Sequence, residues 1–194
     1  KTRIKCKPSR NHTELMFKKV LRIPIKVQKF KKFELIEIDG FNEFESFNYK
    51  IPGDISSASF FIVLTLLSKN AFLTIKEVNI NPSRTGIITI LNKMGAQIKF
   101  LNKRNYKGEV VADIFVKSKK KLRSINLNPN LNSSAIDEFL LIFLVAAKSR
   151  GISYFKNLSE LNQKESPRLI WASKILKLLG IKNKTTKSSI KIYG

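Results

Sequence analysis

The sequence from Pro52 onward follows one plan twice, and this internal repeat restricts the fold more than any other feature. Apolar periodicity in the first copy predicts a helix, a buried strand, a second helix and two more strands, at 56–68, 72–75, 84–94, 97–100 and 110–116. Asp54 is placed to cap the first helix, and Gly95 follows the second helix as a C′ glycine. Self-similarity of this length indicates a fold assembled from repeated units.

The second copy has the same order of elements. Its predicted helix, strand, helix and two closing strands lie at 134–148, 152–155, 166–178, 181–182 and 189–193. Arg84 corresponds to Arg168, Gly95 to Gly180 and Lys76 to Lys156, so the offset between copies is 80 to 85 residues. A partial third copy opens the chain, with Pro8-Ser9-Arg10 before a helix at 14–20 and a strand at 24–29.

Alternating helices and strands that close with adjacent strands predict the α/β (α+β) class, built from β-α-β-α-β-β units. The helix at 134–148 is apolar nearly all round, so we expect helices inside and small sheets outside. A domain boundary fits near 49–52. Residues 1–50 would then be the C-terminal part of one domain, and residues 51–194 would be two units of a second domain.

The chain is strongly basic, with 37 Lys and Arg against 14 Asp and Glu and a formal charge of +23. Such a charge is typical of nucleic-acid-binding proteins, but Lys, Ile, Asn and Phe are abundant throughout, as a compositional bias would produce. The densest basic run, 117–123, is short. A solvated basic surface and a phosphate-binding surface both remain open, and a positive field would help to collect a multiply anionic small substrate.

Several classes of protein are disfavoured. One cysteine, Cys6, excludes an internal disulfide framework, and one histidine, His12, disfavours a histidine-based metal site or triad. The longest apolar stretch, 139–147, is too short to span a bilayer. Without a signal peptide, the chain is expected to be cytoplasmic and not bound to a membrane. It starts at Lys1 rather than Met, and both ends are interpreted as cut.

Arg10, Arg84 and Arg168 each lie at the predicted start of a helix. A serine or proline there is explained by capping and by the first helical turn. An arginine is unfavourable with the helix dipole unless an anion is close, so capture of phosphate or carboxylate is the second interpretation.

Two clusters contain acidic groups. Lys164-Glu165-Ser166-Pro167-Arg168 is interpreted either as a local salt-bridge network or as part of an anion site. Asp137-Glu138 precedes an apolar run, so one member would be partly buried with a raised pKa suited to proton transfer, or else both simply favour the helix dipole. His12 is interpreted as a surface or capping residue rather than one that hydrogen-bonds a ligand, Cys6 as a strand residue rather than a nucleophile, and Trp171 as core.

Five segments resemble motifs of the EPSP synthase (3-phosphoshikimate 1-carboxyvinyltransferase) family, in that family's order and spacing. They are SRNHTE at 9–14, PGDISSASFF at 52–61, NPSRTGI at 81–87 with MGA at 94–96, IDE at 136–138, and EL at 160–161 with KESPRL at 164–169. Each motif alone is weak, but together they cover nearly the whole chain. The resemblance implies the enolpyruvyl transferase fold, which is itself built from such repeats.

The resemblance also implies an activity in aromatic amino-acid biosynthesis. The carboxyvinyl group of phosphoenolpyruvate moves to the 5-hydroxyl of shikimate 3-phosphate, by addition and elimination and without a metal or organic cofactor. By matching position, Asp137 would accept the hydroxyl proton, and Glu165 would protonate the methylene carbon and therefore have a raised pKa. Lys164, Ser9 and Arg10 would bind shikimate 3-phosphate, Arg168 would bind phosphoenolpyruvate, and Arg84 is interpreted as structural.

The chain departs from the family pattern at Pro167, where Asp is usual, and after Glu138, where Phe139-Leu140 replaces Ile-Pro. Other ligand-bearing motifs of the family are absent, so the expected partners include the remaining segments of a full enzyme, and the chain alone is expected to be inactive. A UDP-sugar enolpyruvyl transferase fragment and a basic nucleic-acid-binding module are the alternatives, although no specific nucleic acid is indicated.

Overall fold

A computed structural model describes residues 1–40, 43, 45–118 and 121–194 of the chain. Its helices are α1 His12–Lys19, α2 Ile55–Leu67, α3 Gly86–Lys93, α4 Phe139–Ala147 and α5 Arg168–Leu178. Its strands are β1 Thr2–Cys6, β2 Ile25–Lys29, β3 Glu34–Ile38, β4 Phe72–Asn79, β5 Gln97–Tyr106, β6 Glu109–Lys117, β7 Ile152–Phe155, β8 Asn183–Thr185 and β9 Ile190–Tyr193. Short 3₁₀ helices span Pro129–Leu131, Ser133–Ala135 and Ser159–Asn162.

The strands of these described ranges form three antiparallel sheets of one design. The strand orders are β1-β3-β2, β4-β6-β5 and β7-β9-β8, so the last strand of each unit lies in the middle of its sheet. The predicted repeat is therefore confirmed, including the partial copy that opens the chain, but the strand predicted at 181–182 lies at Asn183–Thr185. Strands β1 and β3 were not predicted as elements, although Cys6 is the strand residue that the sequence indicated.

The core lies where the helices of the two full units meet. Helix α4 packs against α2, α3 and α5, and its Phe139 and Phe143 are buried against Phe155 of β7 in tilted and edge-to-face contacts. Such aromatic pairs add to the free energy that burial of their surface supplies. The predicted burial of this apolar helix is confirmed, with helices packed together and small sheets around them.

The predicted local signals for helix ends are also present. The Asp54 carboxylate accepts a hydrogen bond from the backbone N–H of Ser57 at 2.8 Å, as an N-cap residue does. Gly95 and Gly180 follow α3 and α5 with φ of 92° and 75°, a left-handed conformation that favours glycine.

The predicted continuous helix at 134–148 is wrong. A 3₁₀ turn at Ser133–Ala135 is followed by a turn at 136–138, and α4 begins only at Phe139. Gly86 of α3 lies so close to Ser134 that a Cβ on the glycine would be 2.6 Å from the Ser134 carbonyl carbon. This tight approach fixes the path of the chain just before Asp137 and Glu138, and apolar periodicity does not report it.

Part of the helical surface is apolar and exposed. Trp171 was interpreted as core, but it is 49% exposed and stacks with the Lys174 ammonium 4.6 Å from its ring centroid. Phe60, Phe61 and Leu64 of α2 are exposed as well. The helical period alone does not show which apolar positions meet a partner.

Two further features of the sequence are the basic run at 117–123 and the longest apolar stretch. The basic run 117–123 includes Lys119 and Lys120, which lie outside the described residues. Within the described ranges, no helix is both long enough and apolar enough to cross a lipid bilayer.

Candidate active site

Asp137 lies at the centre of three cations that come from two distant parts of the chain. Its Oδ2 forms an ion pair with Arg10 Nη2, while its Oδ1 is 3.6 Å from Lys164 Nζ and 3.5 Å from Arg168 Nη1. Glu165 joins through a hydrogen bond of 2.7 Å from Arg168 Nη2. We call these five residues the Asp137 cluster; it contains three cations and two carboxylates.

Backbone elements place three members of the Asp137 cluster. Arg10 lies two residues before α1, Asp137 lies in the turn before α4, and Arg168 is the first residue of α5. The start of α5 is held by the Asn162 side chain, whose Oδ1 accepts a hydrogen bond from the Leu169 N–H at 3.2 Å. The repeat therefore brings two helix starts and one turn to a common place.

The Asp137 carboxyl is half-buried, and burial is the largest single influence on it and raises its pKa. The hydrogen bond from Arg10 and the positive charges of Arg10, Lys164 and Arg168 outweigh burial, so the pKa lies below its ordinary value. Asp137 is consequently ionised at neutral pH and able to accept a proton. The expected buried carboxyl with a raised pKa is therefore not Asp137 but its neighbour Glu138.

Glu138 has the opposite environment, although it is the next residue. Burial raises its pKa above the ordinary value, with a hydrogen bond from the Ser56 hydroxyl opposing the rise. Arg84 completes this contact, because its Nη2 donates to Ser56 Oγ at 2.6 Å and to Asp54 Oδ1 at 3.0 Å. Through Ser56, Arg84 thus supports the contact between the start of α2 and the turn before α4, and it is not a member of the Asp137 cluster.

The expectation that Glu165 has a raised pKa is wrong for this structure. Its side chain is 82% exposed, so burial has little effect on it. Its own backbone N–H and the Arg168 guanidinium stabilise the carboxylate, and its pKa lies below the ordinary value. Glu165 is therefore ionised at neutral pH in this state.

Ser9 is exposed beside Arg10, and its hydroxyl has no hydrogen bond to another described residue. Of the residues predicted for the site, the structure brings Arg10, Asp137, Lys164, Glu165 and Arg168 together. Ser9 is placed next to them along the chain without a contact of its own.

A polar contact near the cluster was missed by sequence reasoning. His12 was interpreted as a surface or capping residue, but its Nδ1 makes a hydrogen-bonded contact with the Glu109 carboxylate, which is 6% exposed. Asn81 joins them, because its Nδ2 is 2.8 Å from Asn11 Oδ1 and 3.1 Å from Glu109 Oε2. His12 and Glu109 are separated by 97 residues, so no local signal in the sequence links them.

Comparison with known proteins gives one family. The family model described as EPSP synthase (3-phosphoshikimate 1-carboxyvinyltransferase) matches residues 1–194. The 3-phosphoshikimate 1-carboxyvinyltransferase of Ruthia magnifica subsp. Calyptogena magnifica is 40% identical over 96% of this chain and 42% of that protein. The protein of that name from Zymomonas mobilis is 36% identical over 96% of this chain and 41% of that protein.

Solved structures of enolpyruvyl transferases are also similar to this chain. An EPSP synthase from Acinetobacter baumannii superimposes with a TM-score of 0.86 and 33% identity, covering 99% of this chain and 43% of that one. The enolpyruvyl transferase NikO from Streptomyces tendae gives a TM-score of 0.65 at 14% identity, which shows a shared fold only. This chain spans less than half the length of the curated relatives that it matches, and it belongs to the EPSP synthase family.

Proposed function

We propose that the chain supplies part of the active site of a 3-phosphoshikimate 1-carboxyvinyltransferase. The observation that carries the proposal is the meeting of Arg10, Lys164 and Arg168 around the Asp137 carboxylate. Three cations gathered from distant segments form a binding place for small, multiply charged anions, and both substrates of this reaction are such anions.

Binding would exchange the partners of these cations. In the structure, Asp137 is the counter-ion of all three. We propose that the phosphate of shikimate 3-phosphate binds Arg10, Ser9 and Lys164, and that the phosphoenolpyruvate anion binds Arg168. Planar guanidinium groups suit this exchange because they bind carboxylate and phosphate through paired hydrogen bonds.

The proposed reaction has two stages. In the addition, ionised Asp137 accepts the proton of the 5-hydroxyl, the hydroxyl oxygen bonds to C2 of phosphoenolpyruvate, and C3 receives a proton from Glu165. In the elimination, the bond from C2 to the phosphate oxygen breaks, and one C3 proton returns to a base. The products are the enolpyruvyl ether and inorganic phosphate, and neither stage is a redox reaction.

The role of Glu165 places a condition on the bound state. Glu165 is exposed and paired with Arg168, so it is ionised before substrates arrive. When the phosphoenolpyruvate anion takes Arg168, Glu165 loses its cationic partner. Exclusion of water would then raise its pKa, and it would carry the proton that the addition requires.

We also propose the domain arrangement that the sequence suggested, with residues 1–50 in one domain and 51–194 in a second. Residues 45–52 contain neither helix nor strand and connect the sheet of β1–β3 to the first full unit. The proposed location is the cytoplasm, and the proposed partners are the remaining segments of a full enzyme. Because preorganised charge from several segments is needed, the chain alone should bind substrates without turning them over.

Titration of the ¹⁵N-labelled chain followed by NMR tests the proposal. Shikimate 3-phosphate and phosphoenolpyruvate should shift the resonances of Arg10, Lys164 and Arg168, whereas UDP-N-acetylglucosamine should not. Arg10→Met should weaken shikimate 3-phosphate binding about tenfold, a loss of about 1.4 kcal/mol. Arg150→Met, at an exposed position outside the cluster, is the matched control. Equal binding of the UDP-sugar, or no response at the cluster, would contradict the proposal.

The alternative, a basic nucleic-acid-binding module, is distinguished from the proposed function by the salt dependence of its binding. Nonspecific attraction from a charge of +23 should give heparin retention that disappears at moderate salt, because released counterions drive such binding. Tight RNA binding that persists at that salt concentration would favour the alternative. Release of phosphate from the two substrates by the isolated chain would contradict the expected lack of turnover.

A further inference from the structure

The opening segment of the chain contacts the first full unit through a buried polar network. The Glu109 carboxylate accepts from the Asn81 amide at 3.1 Å and contacts His12 Nδ1, while the same amide reaches Asn11 Oδ1 at 2.8 Å. A buried carboxylate is costly unless it is paired and hydrogen-bonded. Glu109 meets this requirement only with partners from both sides of the contact, so it favours one relative placement of the two parts.

The turn of the β5–β6 hairpin supports the same contact. Tyr106 Oη accepts a hydrogen bond from the Lys50 N–H at 3.0 Å, and Lys107 Nζ donates to the Asn48 carbonyl at 2.5 Å. Gly108 has a φ of 93°, and a Cβ there would lie 2.7 Å from Lys19 Cγ. The hairpin turn therefore lies directly against α1 and against the segment that contains Asn48 and Lys50, and Glu109 is the next residue after the turn.

The residues of this contact are close in sequence to Arg10 of the Asp137 cluster. His12 is the first residue of α1, and Asn11 is its N-cap residue. Arg10 precedes Asn11, so two peptide units separate the residue held by Glu109 from the guanidinium that faces Asp137. Fixing His12 and Asn11 leaves Arg10 with little freedom other than that of its own side chain.

We propose that His12 and Glu109 are positioning residues, which hold Arg10 against the Asp137 cluster without touching substrate. The proposal rests on the proposed function, because it assigns Arg10 to the shikimate 3-phosphate side of the site. Lys164 and Arg168 belong to the second full unit and do not depend on this contact. Loss of the His12–Glu109 pair should therefore affect one substrate and spare the other.

A test without any ligand follows from the Arg10–Asp137 ion pair. The guanidinium lowers the pKa of Asp137, so withdrawal of Arg10 should raise that pKa toward its ordinary value. ¹³C NMR titration of the Asp137 carboxyl in Arg10→Met gives the full effect of losing the cation. His12→Ala and Glu109→Gln should each produce at least half of that rise, and Thr13→Ala, at an exposed position of the same helix, should produce none.

Substrate titration of the same variants completes the test. His12→Ala should weaken shikimate 3-phosphate binding about tenfold while phosphoenolpyruvate binding changes less than about twofold. His12→Gln, which keeps a hydrogen-bonding side chain, should restore part of the loss. A wild-type Asp137 pKa in both His12→Ala and Glu109→Gln, with spectra showing folded chains, overturns the positioning role. If the unaltered chain binds neither substrate, the proposed function fails, while the pKa measurements still decide the positioning role.

Discussion

Arg84 and Arg168 occupy corresponding places in the two full units, yet they have different surroundings. Arg84 lies between Asp54 and Ser56 of its own unit, with its Nε buried and without a hydrogen-bond partner among the described residues. Arg168 faces Asp137 and the exposed Glu165, with Lys164 nearby. In the proposed function, Arg84 supports contacts within the fold, whereas a ligand would replace the carboxylates that hold Arg168.

The neighbouring carboxylates of Asp137 and Glu138 also have different surroundings. The turn at 136–138 directs Asp137 to the cations of the cluster and Glu138 to Ser56 and the interior. The comparison teaches that a repeated local motif fixes the backbone of each unit, whereas the side chains around the corresponding charged group differ between the units and give that group a different environment.

Arg168→Met is expected to have the largest effect on substrate binding, and it tests whether Arg168 differs from Arg84 in this respect. Phosphoenolpyruvate binding should weaken by about 10- to 100-fold, since hydrogen bonds to charged groups contribute about 1.5–3 kcal/mol. The free energy of unfolding should change by less than about 0.5 kcal/mol, because two cations remain beside Asp137. NMR titration and urea unfolding measure the two quantities. A large loss of stability with unchanged binding would contradict the proposed difference between Arg168 and Arg84.

Arg84→Met should show the reverse pattern. Removal of this guanidinium takes a hydrogen-bond donor from Ser56 and from Asp54, and a loss of about 1–2 kcal/mol in the free energy of unfolding is expected. Binding of both substrates should stay within about twofold of the unaltered chain, once folding is confirmed. Urea unfolding checks the first quantity and titration the second. Substrate affinity that falls as far as in Arg168→Met would place Arg84 in the site.

The smallest expected effect is a difference in pH dependence between the neighbouring carboxyls. Asp137 has a folded-state pKa below its ordinary value of 3.8, so its stabilisation is present above that pH and is lost as the pH falls through the lowered pKa. Glu138 has a folded-state pKa above 4.5, so its stabilisation is present below that pH and is lost as the pH rises through the raised pKa.

Urea unfolding of Asp137→Asn and Glu138→Gln across the acidic to neutral range measures this difference. At neutral pH, Asp137→Asn should lower the free energy of unfolding by up to about 1 kcal/mol, and Glu138→Gln should leave it equal or higher. Opposite slopes relative to the unaltered chain are the expected result. Slopes of the same sign for both variants would show that the turn does not separate the two environments.

Much of the fold was predictable because its signals are local. The cap at Asp54 and the glycines at 95 and 180 meet the demands of single helix ends, and the apolar period reports each buried face. The break before Phe139 was not predictable, because it depends on Gly86 lying against Ser134 from another segment. The exposure of Trp171 was missed for the same reason, since periodicity does not identify the packing partner.

The sequence by itself determined the repeated units, the family and the group of residues that form the candidate site. Only the tertiary structure decided that Arg10 meets Asp137 across 127 residues of chain, that Glu165 is exposed, and that His12 contacts Glu109. The physical reason is that backbone hydrogen bonding and helix ends depend on residues a few positions apart. The charge state and availability of a side chain depend on burial and on distant cations, which exist only after the units pack.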